Sequence, residues 1–199
     1  MSQITEPIDT AHDRIKLPFT FDVEKMKEEV SQFKLEEFIY YNVVPLRAPA
    51  HTVDTTLPPP PPAEDYADGS WTEWMDTKEL ISSPYLLSIV DMFREKTKVT
   101  LVRILRLASG QMVNEHTDPT LGLQIHKSVI RLTIPIISNE NTEFFLNGSI
   151  VPMQPGECWY LRLTDPHKVL NRSSGDRINM TIDMIPNEWV QQQILENDK

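Results

Sequence analysis

Two histidines and one aspartate in this sequence have the types and spacing of a metal site. His116 and Asp118 follow the segment 101–115, LVRILRLASGQMVNE, which has the pattern of a strand, a turn and a second strand. In an extended chain the side chains of residues i and i+2 project from the same side, so His116 and Asp118 can face one ion. His167 follows a further hairpin. Two imidazoles and a carboxylate can hold iron(II), or zinc(II) with a bound water, and leave other coordination positions open.

Two arginines could bind a small carboxylate beside such a metal. Arg177 begins the segment RINMTIDM shortly after His167, and Arg131 lies in the segment VIRLTIPII. The planar guanidinium group can donate two parallel hydrogen bonds to one carboxylate, which suits the distal carboxylate of 2-oxoglutarate. The ligand types alone leave zinc open, and the two arginines favour iron(II) with a dicarboxylate co-substrate.

These arginines belong to two segments in which apolar and polar residues alternate. Because side chains alternate between the faces of a strand, each segment has one apolar and one polar face. The apolar faces carry Ile130, Leu132, Ile134 and Ile136 in the first segment, and Ile178, Met180, Ile182 and Met184 in the second. The polar faces carry Arg131 and Thr133, and Arg177, Asn179 and Thr181. A polar face exposed to water would give the same pattern, so alternation alone does not place these residues at a site.

The second half of the chain is a series of short strand-like segments separated by turn signals. The segments are VTLVRILRL, SVIRLTIPIIS, TEFFLN, SIVPM, ECWYLRL and RINMTIDMI. Breaks fall at Ser109-Gly110, Asn147-Gly148, Pro155-Gly156 and Ser174-Gly175, and Asn-Gly is a strong hairpin signal. Many short strands in one block predict a closed or sandwiched β core.

The first half contains the elements that should support this core. A strand is predicted at 16–21, and Asp22 is a typical N-cap for a helix through VEKMKEEVSQF. A second extended segment covers 38–47. Ser83-Pro84 begins another helix, whose residues Leu86, Leu87, Val90 and Phe93 form one apolar stripe.

Between these elements, Ala48 to Ser70 is poor in aliphatic residues and contains the proline run 58–62. Such a run favours polyproline II and is excluded from a central strand, which predicts a surface excursion. A plain surface loop and a lid over an active site both fit this segment.

The domain prediction is a flexible N-terminus at 1–14 followed by a single domain at 15–199. Within that domain, 15–97 supplies helical and loop support, 98–186 forms the β core and 187–199 is a C-terminal tail. A chain of 199 residues is long enough for one well-cored domain.

Composition limits the expected partners and compartment. The 19 lysines and arginines against 29 acidic residues give a net charge of -10, which disfavours nucleic acid and anionic membranes as partners. The single cysteine, Cys158, excludes an intrachain disulfide and fits a small buried side chain. Without an apolar run near its N-terminus, the chain is expected to be soluble and cytoplasmic. No oligomeric state is predicted.

Several of these stretches resemble the aspartyl/asparaginyl β-hydroxylase family of iron(II)/2-oxoglutarate dioxygenases, which includes bacterial proline cis-hydroxylases. They include LVRILRLASGQMVNEHTD, VIRLTIPIISN, FFLNGSIVPMQPGECWYL and HKVLNRSSGDRINMTID, and the resemblance extends over roughly 15–190. It implies a mainly β fold, a double-stranded β-helix of the jelly-roll or cupin type with N-terminal helices packed on it. It also implies hydroxylation of an unactivated C–H bond with iron(II), 2-oxoglutarate and O2.

The resemblance assigns roles to individual residues. His116, Asp118 and His167 match the family's metal ligands, and Arg177 matches the arginine that binds the distal carboxylate of 2-oxoglutarate. Arg131 matches an arginine near the carboxylate of the co-substrate or substrate.

Two positions relate the chain to particular branches of the family. Thr133 stands where many members have a histidine, so the near end of 2-oxoglutarate must be held differently here. Asp118 is absent from the animal peptide-modifying members, and its presence favours the bacterial branch that acts on free amino acids or small metabolites.

The expected substrate is an amino acid, a peptide residue or a small metabolite bearing a carboxylate. Arg47, in the family-like segment VVPLRAP, is a candidate for binding that carboxylate, and His126 is close enough in sequence to the metal site to contact substrate. Two other functions use the same residues: a non-catalytic cupin-like binding module, and a zinc-dependent hydrolase or lyase.

Overall fold

The protein is described by a computed structural model that covers residues 6–34, 36–37 and 42–199. The predicted extended segment 38–47 therefore lies partly outside the described residues. The strands are β1 Arg14–Thr20, β2 Glu36–Glu37, β3 Asn42–Pro49, β4 Trp74–Asp76, β5 Val99–Leu107, β6 Met112–His116, β7 Ile130–Ile137, β8 Thr142–Leu146, β9 Ser149–Ile150, β10 Glu157–Leu161, β11 His167–Asn171 and β12 Arg177–Met184. The helices are α1 Val23–Val30, α2 Ala50–Val53, α3 Lys78–Ile81, α4 Pro84–Arg94 and α5 Glu188–Asn197.

In the described ranges the strands form two antiparallel sheets. The larger sheet has the order β1-β10-β7-β12-β5-β3-β2, with β4 beside β3, and the smaller has the order β6-β11-β8-β9. The chain from β5 to β12 passes back and forth between the two sheets, which is the winding of a double-stranded β-helix. The predicted mainly β fold class is confirmed. Strands from the first half of the chain extend the larger sheet on both sides: β1 pairs with β10, and β3, which also pairs with β2 and β4, pairs with β5.

The alternation along β7 and β12 separates a core from a cavity. Their aliphatic residues lie in a cluster that also contains Met26 of α1 and Leu86, Val90 and Phe93 of α4. The helices therefore cover the outer face of the larger sheet. A second cluster, which includes Leu107, Phe144 and Leu161, lies between the two sheets. The polar faces of β7 and β12 consequently point between the sheets and not into bulk water.

Local sequence signals explain several of the boundaries. The Asp22 carboxylate accepts hydrogen bonds from the amides of Glu24 and Lys25, as expected of an N-cap, although α1 ends at Val30 rather than Phe33. Asn147 and Gly148 have φ values of 49° and 74°, so both adopt the left-handed conformation that the predicted Asn-Gly hairpin between β8 and β9 requires.

The start of α4 has a different cap from the one that its sequence suggests. Pro84 occupies the first turn as predicted, but the Ser83 side chain makes no capping hydrogen bond. Instead, the Glu29 carboxylate of α1 accepts hydrogen bonds from the amides of Tyr85 and Leu86, at 2.8 and 2.9 Å. This contact fixes α4 against α1.

Two further sequence expectations can be compared with the structure. Cys158 is buried, as predicted, and burial raises the pKa of its thiol. Strand β11 is missed by the sequence patterns, because HKVLN has only two aliphatic residues and they are adjacent.

In the part of the chain that the structure covers, no helix is long and apolar enough to cross a membrane.

Candidate metal centre

The smaller sheet brings the two histidines of the predicted triad together. His116 is the last residue of β6 and His167 the first of β11, and they are direct cross-strand partners. Side chains opposite one another on neighbouring strands lie on the same face, and the two ring centroids here are 4.2 Å apart.

Asp118 joins the two histidines from the turn that follows β6. Its backbone N–H donates to the carbonyl of Leu163 at 2.8 Å, which holds the turn against the segment before β11. One ligand atom from each of His116, Asp118 and His167 lies within 4.8 Å of the other two. The structure therefore assembles the triad that the sequence predicts.

Backbone contacts orient both imidazoles toward a shared point. Nδ1 of His116 lies 2.8 Å from the carbonyl oxygen of Asn114, and Nδ1 of His167 lies 2.9 Å from that of Asp165. A carbonyl accepts only, so each Nδ1 carries a proton, and in the neutral ring the lone pair is then on Nε2. This arrangement is usual for metal-binding histidines.

The surroundings of His167 favour its neutral form. His167 is 4% exposed, and its ring lies parallel to the Phe144 ring, with centroids 5.9 Å apart. Burial lowers the pKa of His167 because it disfavours the charged imidazolium, and this outweighs the opposing hydrogen bond to the Asp165 carbonyl. A neutral imidazole can bind a metal ion without first losing a proton.

Arg131 is engaged with two carboxylates beside the triad. Its Nε and Nη2 lie 2.7 and 2.8 Å from the two carboxylate oxygens of Asp183, which is a bidentate pair. Its Nη1 lies 3.3 Å from Oδ2 of Asp118. The sequence predicts Arg131 near a bound carboxylate, and the structure places its guanidinium group next to a ligand of the triad.

Between the two sheets, the triad opens onto a cavity that we call the Arg177 cavity. Its polar wall contains Arg131, Thr133, Arg177, Asn179 and Thr181. Arg177 is 7% exposed, and its Nη1 donates a hydrogen bond to Oδ1 of Asn179. The cavity thus combines three potential metal ligands with a buried guanidinium group.

Thr181 is a residue of this cavity that the sequence does not single out. It is 2% exposed and is the cross-strand partner of Thr133, so the two hydroxyl groups lie on one face. Within the described ranges, the buried Oγ1 of Thr181 has no hydrogen-bond partner. Buried hydroxyls are normally paired, so this one is available to a ligand in the cavity. Alternation places Thr181 on the face of Arg177, but only the strand pairing sets it beside Thr133.

A second cavity shares Asp118 and Arg131 with the first. Its wall includes Tyr66, Trp71 and Trp74, and we call it the aromatic cavity. Tyr66 belongs to the predicted surface excursion 48–70. This segment therefore lines a cavity at the triad and also carries the proline run 58–62. The two cavities adjoin at the triad.

Neither of the two residues predicted to contact substrate lies at the triad. The Nη1 of Arg47 lies 2.5 Å from the Asp76 carboxylate, and Arg47 lines a separate cavity with Arg94 and Lys98. His126 is exposed in the loop before β7 and lies outside the walls of both cavities at the triad. The structure does not bring either residue to the triad.

The ligand types of the triad fit a resident metal ion. Two imidazoles and one carboxylate, brought together on one side of a cavity, can occupy one face of an iron(II) ion and leave the remaining positions for other ligands. The fold and the donor set together match the class of non-haem iron(II) oxygenases.

Comparison of the sequence with known families defines the chain further. Residues 67–186 match the profile of the family described as aspartyl/asparaginyl beta-hydroxylase. The match covers more than half of the chain, and the chain belongs to this family. The resemblance inferred from the sequence and the predicted enzyme class, a hydroxylase, are confirmed.

Solved structures share the fold at low sequence identity. An oxidoreductase of the 2OG-Fe(II) oxygenase family from Burkholderia pseudomallei has 13% identity and a TM-score of 0.56, over 87% of this chain and 84% of that one. HygX from Streptomyces hygroscopicus, solved with nickel and 2-oxoglutarate bound, has 11% identity and a TM-score of 0.53, over 88% and 84%. The viral collagen prolyl hydroxylase of Paramecium Bursaria Chlorella virus-1 has 11% identity and a TM-score of 0.52, over 89% and 98%.

Proposed function

We propose that this protein is an iron(II)- and 2-oxoglutarate-dependent hydroxylase of an unactivated C–H bond in an amino acid, a peptide residue or a small metabolite. One observation carries the proposal. The atoms of His116, Asp118 and His167 that could bind a metal converge at a cavity whose polar wall contains the buried guanidinium group of Arg177. With 2-oxoglutarate and O2, iron(II) supplies the oxidising chemistry, and the protein supplies binding and orientation.

In this proposal His116, Asp118 and His167 hold the metal, and the backbone carbonyls at both Nδ1 atoms keep the two imidazoles oriented. Arg177 binds the distal carboxylate of 2-oxoglutarate through its planar fork, with Asn179 fixing one end of that fork. The Nε and Nη2 of Arg131 bind Asp183, and its Nη1 approaches Asp118. We therefore assign Arg131 to positioning Asp118 and not to binding a carboxylate of 2-oxoglutarate, which would have to displace Asp183.

The near end of 2-oxoglutarate is held by hydroxyl groups in place of the histidine found in many family members. Thr133 and Thr181 are direct cross-strand partners, and both line the Arg177 cavity. The Oγ1 of Thr181 is buried and has no partner in the described part of the chain. A bound carboxylate would accept the hydrogen bond that this hydroxyl does not otherwise make.

Thr181→Val tests this assignment, because valine keeps the shape and removes the hydroxyl. We expect the Kd for 2-oxoglutarate of the metal-loaded protein to rise about tenfold, the effect of losing one hydrogen bond to a charged group. The Kd for 4-oxopentanoate, which keeps the distal carboxylate but has a methyl group in place of the near one, should stay unchanged. Isothermal titration under nitrogen measures both values.

Thr142→Val is the matched control. Its Oγ1 is also buried without a partner among the described residues, but Thr142 begins β8 and lies outside the cavity wall. That variant should bind 2-oxoglutarate as the wild type does, and Thr181→Ser should retain most of the affinity. Unchanged affinity in Thr181→Val would remove Thr181 from the proposed site.

Turnover tests the proposed function itself. The purified protein, supplied with iron(II), ascorbate and 2-oxoglutarate, should form succinate in air in the presence of a panel of amino acids and dipeptides. Succinate should not form under nitrogen or when zinc(II) replaces iron(II). Absence of succinate in every arm, or hydrolysis of a panel compound with zinc(II) and without oxygen, would contradict the proposal.

A further inference from the structure

The aromatic cavity adjoins the triad but is distinct from the Arg177 cavity. Asp118 and Arg131 lie in the walls of both, whereas Arg177, Asn179 and Thr181 belong only to the first. If the Arg177 cavity holds 2-oxoglutarate, as the proposed function requires, the aromatic cavity is left for the compound that is oxidised.

The distinguishing feature of this cavity is a continuous aromatic wall. The ring centroids of Tyr66 and Trp71 are 5.3 Å apart and those of Trp71 and Trp74 are 5.9 Å apart, both in edge-to-face geometry. The indole N–H of Trp74 donates to the Gly69 carbonyl at 2.8 Å, and the Tyr66 hydroxyl accepts from the Ala63 amide at 3.2 Å. Backbone groups thus engage these polar atoms, and the wall offers the cavity mainly apolar ring surface.

The wall is preformed, because the loop that carries it is docked on β5. Gly69 has a φ of 65°, and a Cβ at this position would lie 3.0 Å from the Thr100 methyl group and 3.5 Å from the Trp74 ring. The buried carboxylate of Asp68 accepts a hydrogen bond from the Ser70 amide at 2.9 Å. A ligand that binds here therefore does not have to order the wall first.

Acidic residues outnumber basic ones around the cavity, where Lys127 lies near Asp68, and this excess disfavours an anionic group. The segment 64–73, EDYADGSWTE, contains four acidic residues and neither lysine nor arginine. Arg131 is the cation in the cavity wall, and it forms a bidentate pair with Asp183 and approaches Asp118. The other wall residues near the triad include Leu101, Leu121 and Val129, which are apolar.

We propose that the aromatic cavity is the substrate subsite and that it takes an uncharged, apolar ring, stacked on the wall of Tyr66, Trp71 and Trp74 and placed beside Asp118. This inference rests on the proposed function and narrows it. The expected carboxylate of the substrate, where one is present, lies outside this cavity, and Arg47 does not bind it at the triad.

Binding of three small probes tests the subsite without turnover. The probes are N-acetyl-phenylalanine amide, N-acetyl-alanine amide and N-acetyl-phenylalanine, which supply a neutral ring, no ring and a ring with a carboxylate. The full chain, loaded with zinc(II) and 2-oxoglutarate under nitrogen, is titrated with each probe. We expect the neutral aromatic probe to bind about tenfold more tightly than either of the others.

Variants connect that preference to the wall. Tyr66→Ala alters a side chain that is 56% exposed and should fold normally, and Trp71→Leu keeps an apolar side chain. Both should lose the preference for the ring, whereas Leu57→Ala, an exposed apolar residue of the same loop, should keep it. Equal binding of the three probes, tightest binding of the anionic probe, or full preference in both wall variants would overturn the proposal.

The probe titrations and the succinate assay can fail independently of each other. A protein that forms succinate but shows no preference for the ring contradicts the substrate subsite alone. A protein that binds the ring at this wall but never forms succinate contradicts the proposed function and not the binding site.

Discussion

His116→Ala should lose its bound iron(II) and with it all measurable succinate formation. His116 supplies one of the three donors that converge at the cavity. Loss of a group that only supports a ligand costs about 10- to 100-fold in metal affinity or activity, so loss of a ligand should cost on the order of 100-fold or more. Metal analysis after dialysis, together with a succinate assay, measures both effects.

Two features make His116 the right ligand to replace. Its side chain is exposed, whereas that of His167 is buried against Phe144, so His116→Ala leaves the packing between the sheets intact. His126→Ala is the matched control for metal content, because it removes an exposed histidine outside both cavities. Full iron(II) content in His116→Ala, or equal loss in His126→Ala, would contradict the assigned ligand.

Arg177→Lys should keep the metal and lose affinity for 2-oxoglutarate. Lysine retains the positive charge but lacks the planar fork that binds a carboxylate through two hydrogen bonds. Weakening a buried, hydrogen-bonded charge pair costs about 2 kcal/mol or more, so we expect the Kd for 2-oxoglutarate to rise about 30-fold or more. Titration of the metal-loaded variant under nitrogen measures this change.

An analogue of 2-oxoglutarate without the distal carboxylate identifies which end of the molecule Arg177 contacts. 2-Oxopentanoate has a methyl group in place of the distal carboxylate, so the wild type and Arg177→Lys should bind it equally weakly. Arg172→Lys is the control: Arg172 is an exposed arginine near the start of β12 that bonds to Glu143. An unchanged Kd for 2-oxoglutarate in Arg177→Lys would contradict the proposed role.

Alternation predicts much of this arrangement from the sequence, because it depends only on the backbone of each strand. The faces of β7 and β12 are assigned correctly: Ile130 and Ile178 lie in the core, and Arg131 and Arg177 lie at the cavity. The same rule places Asp183 on the face of Arg177, although only the register of β12 against β7 shows that Asp183 binds Arg131.

The parts that the sequence does not predict depend on contacts between distant segments. β6 follows β5 in the chain, yet it pairs with β11 in the other sheet, and this pairing sets His116 opposite His167. The aromatic wall is missed for a different reason. Tyr66 and Trp71 lie in a loop without periodicity, and their position depends on how Gly69 packs against β5.

Titration of the iron(II)-loaded protein with 2-oxoglutarate under nitrogen tests whether the triad holds iron(II) beside a bound co-substrate. We expect saturable binding of one 2-oxoglutarate per chain, with a new visible absorption band that appears only when iron(II) is present. Metal-free protein and iron(II)-treated His116→Ala should not develop the band. Absence of binding to the iron(II)-loaded wild type, or equal binding without metal, would show that the triad does not hold iron(II) beside 2-oxoglutarate.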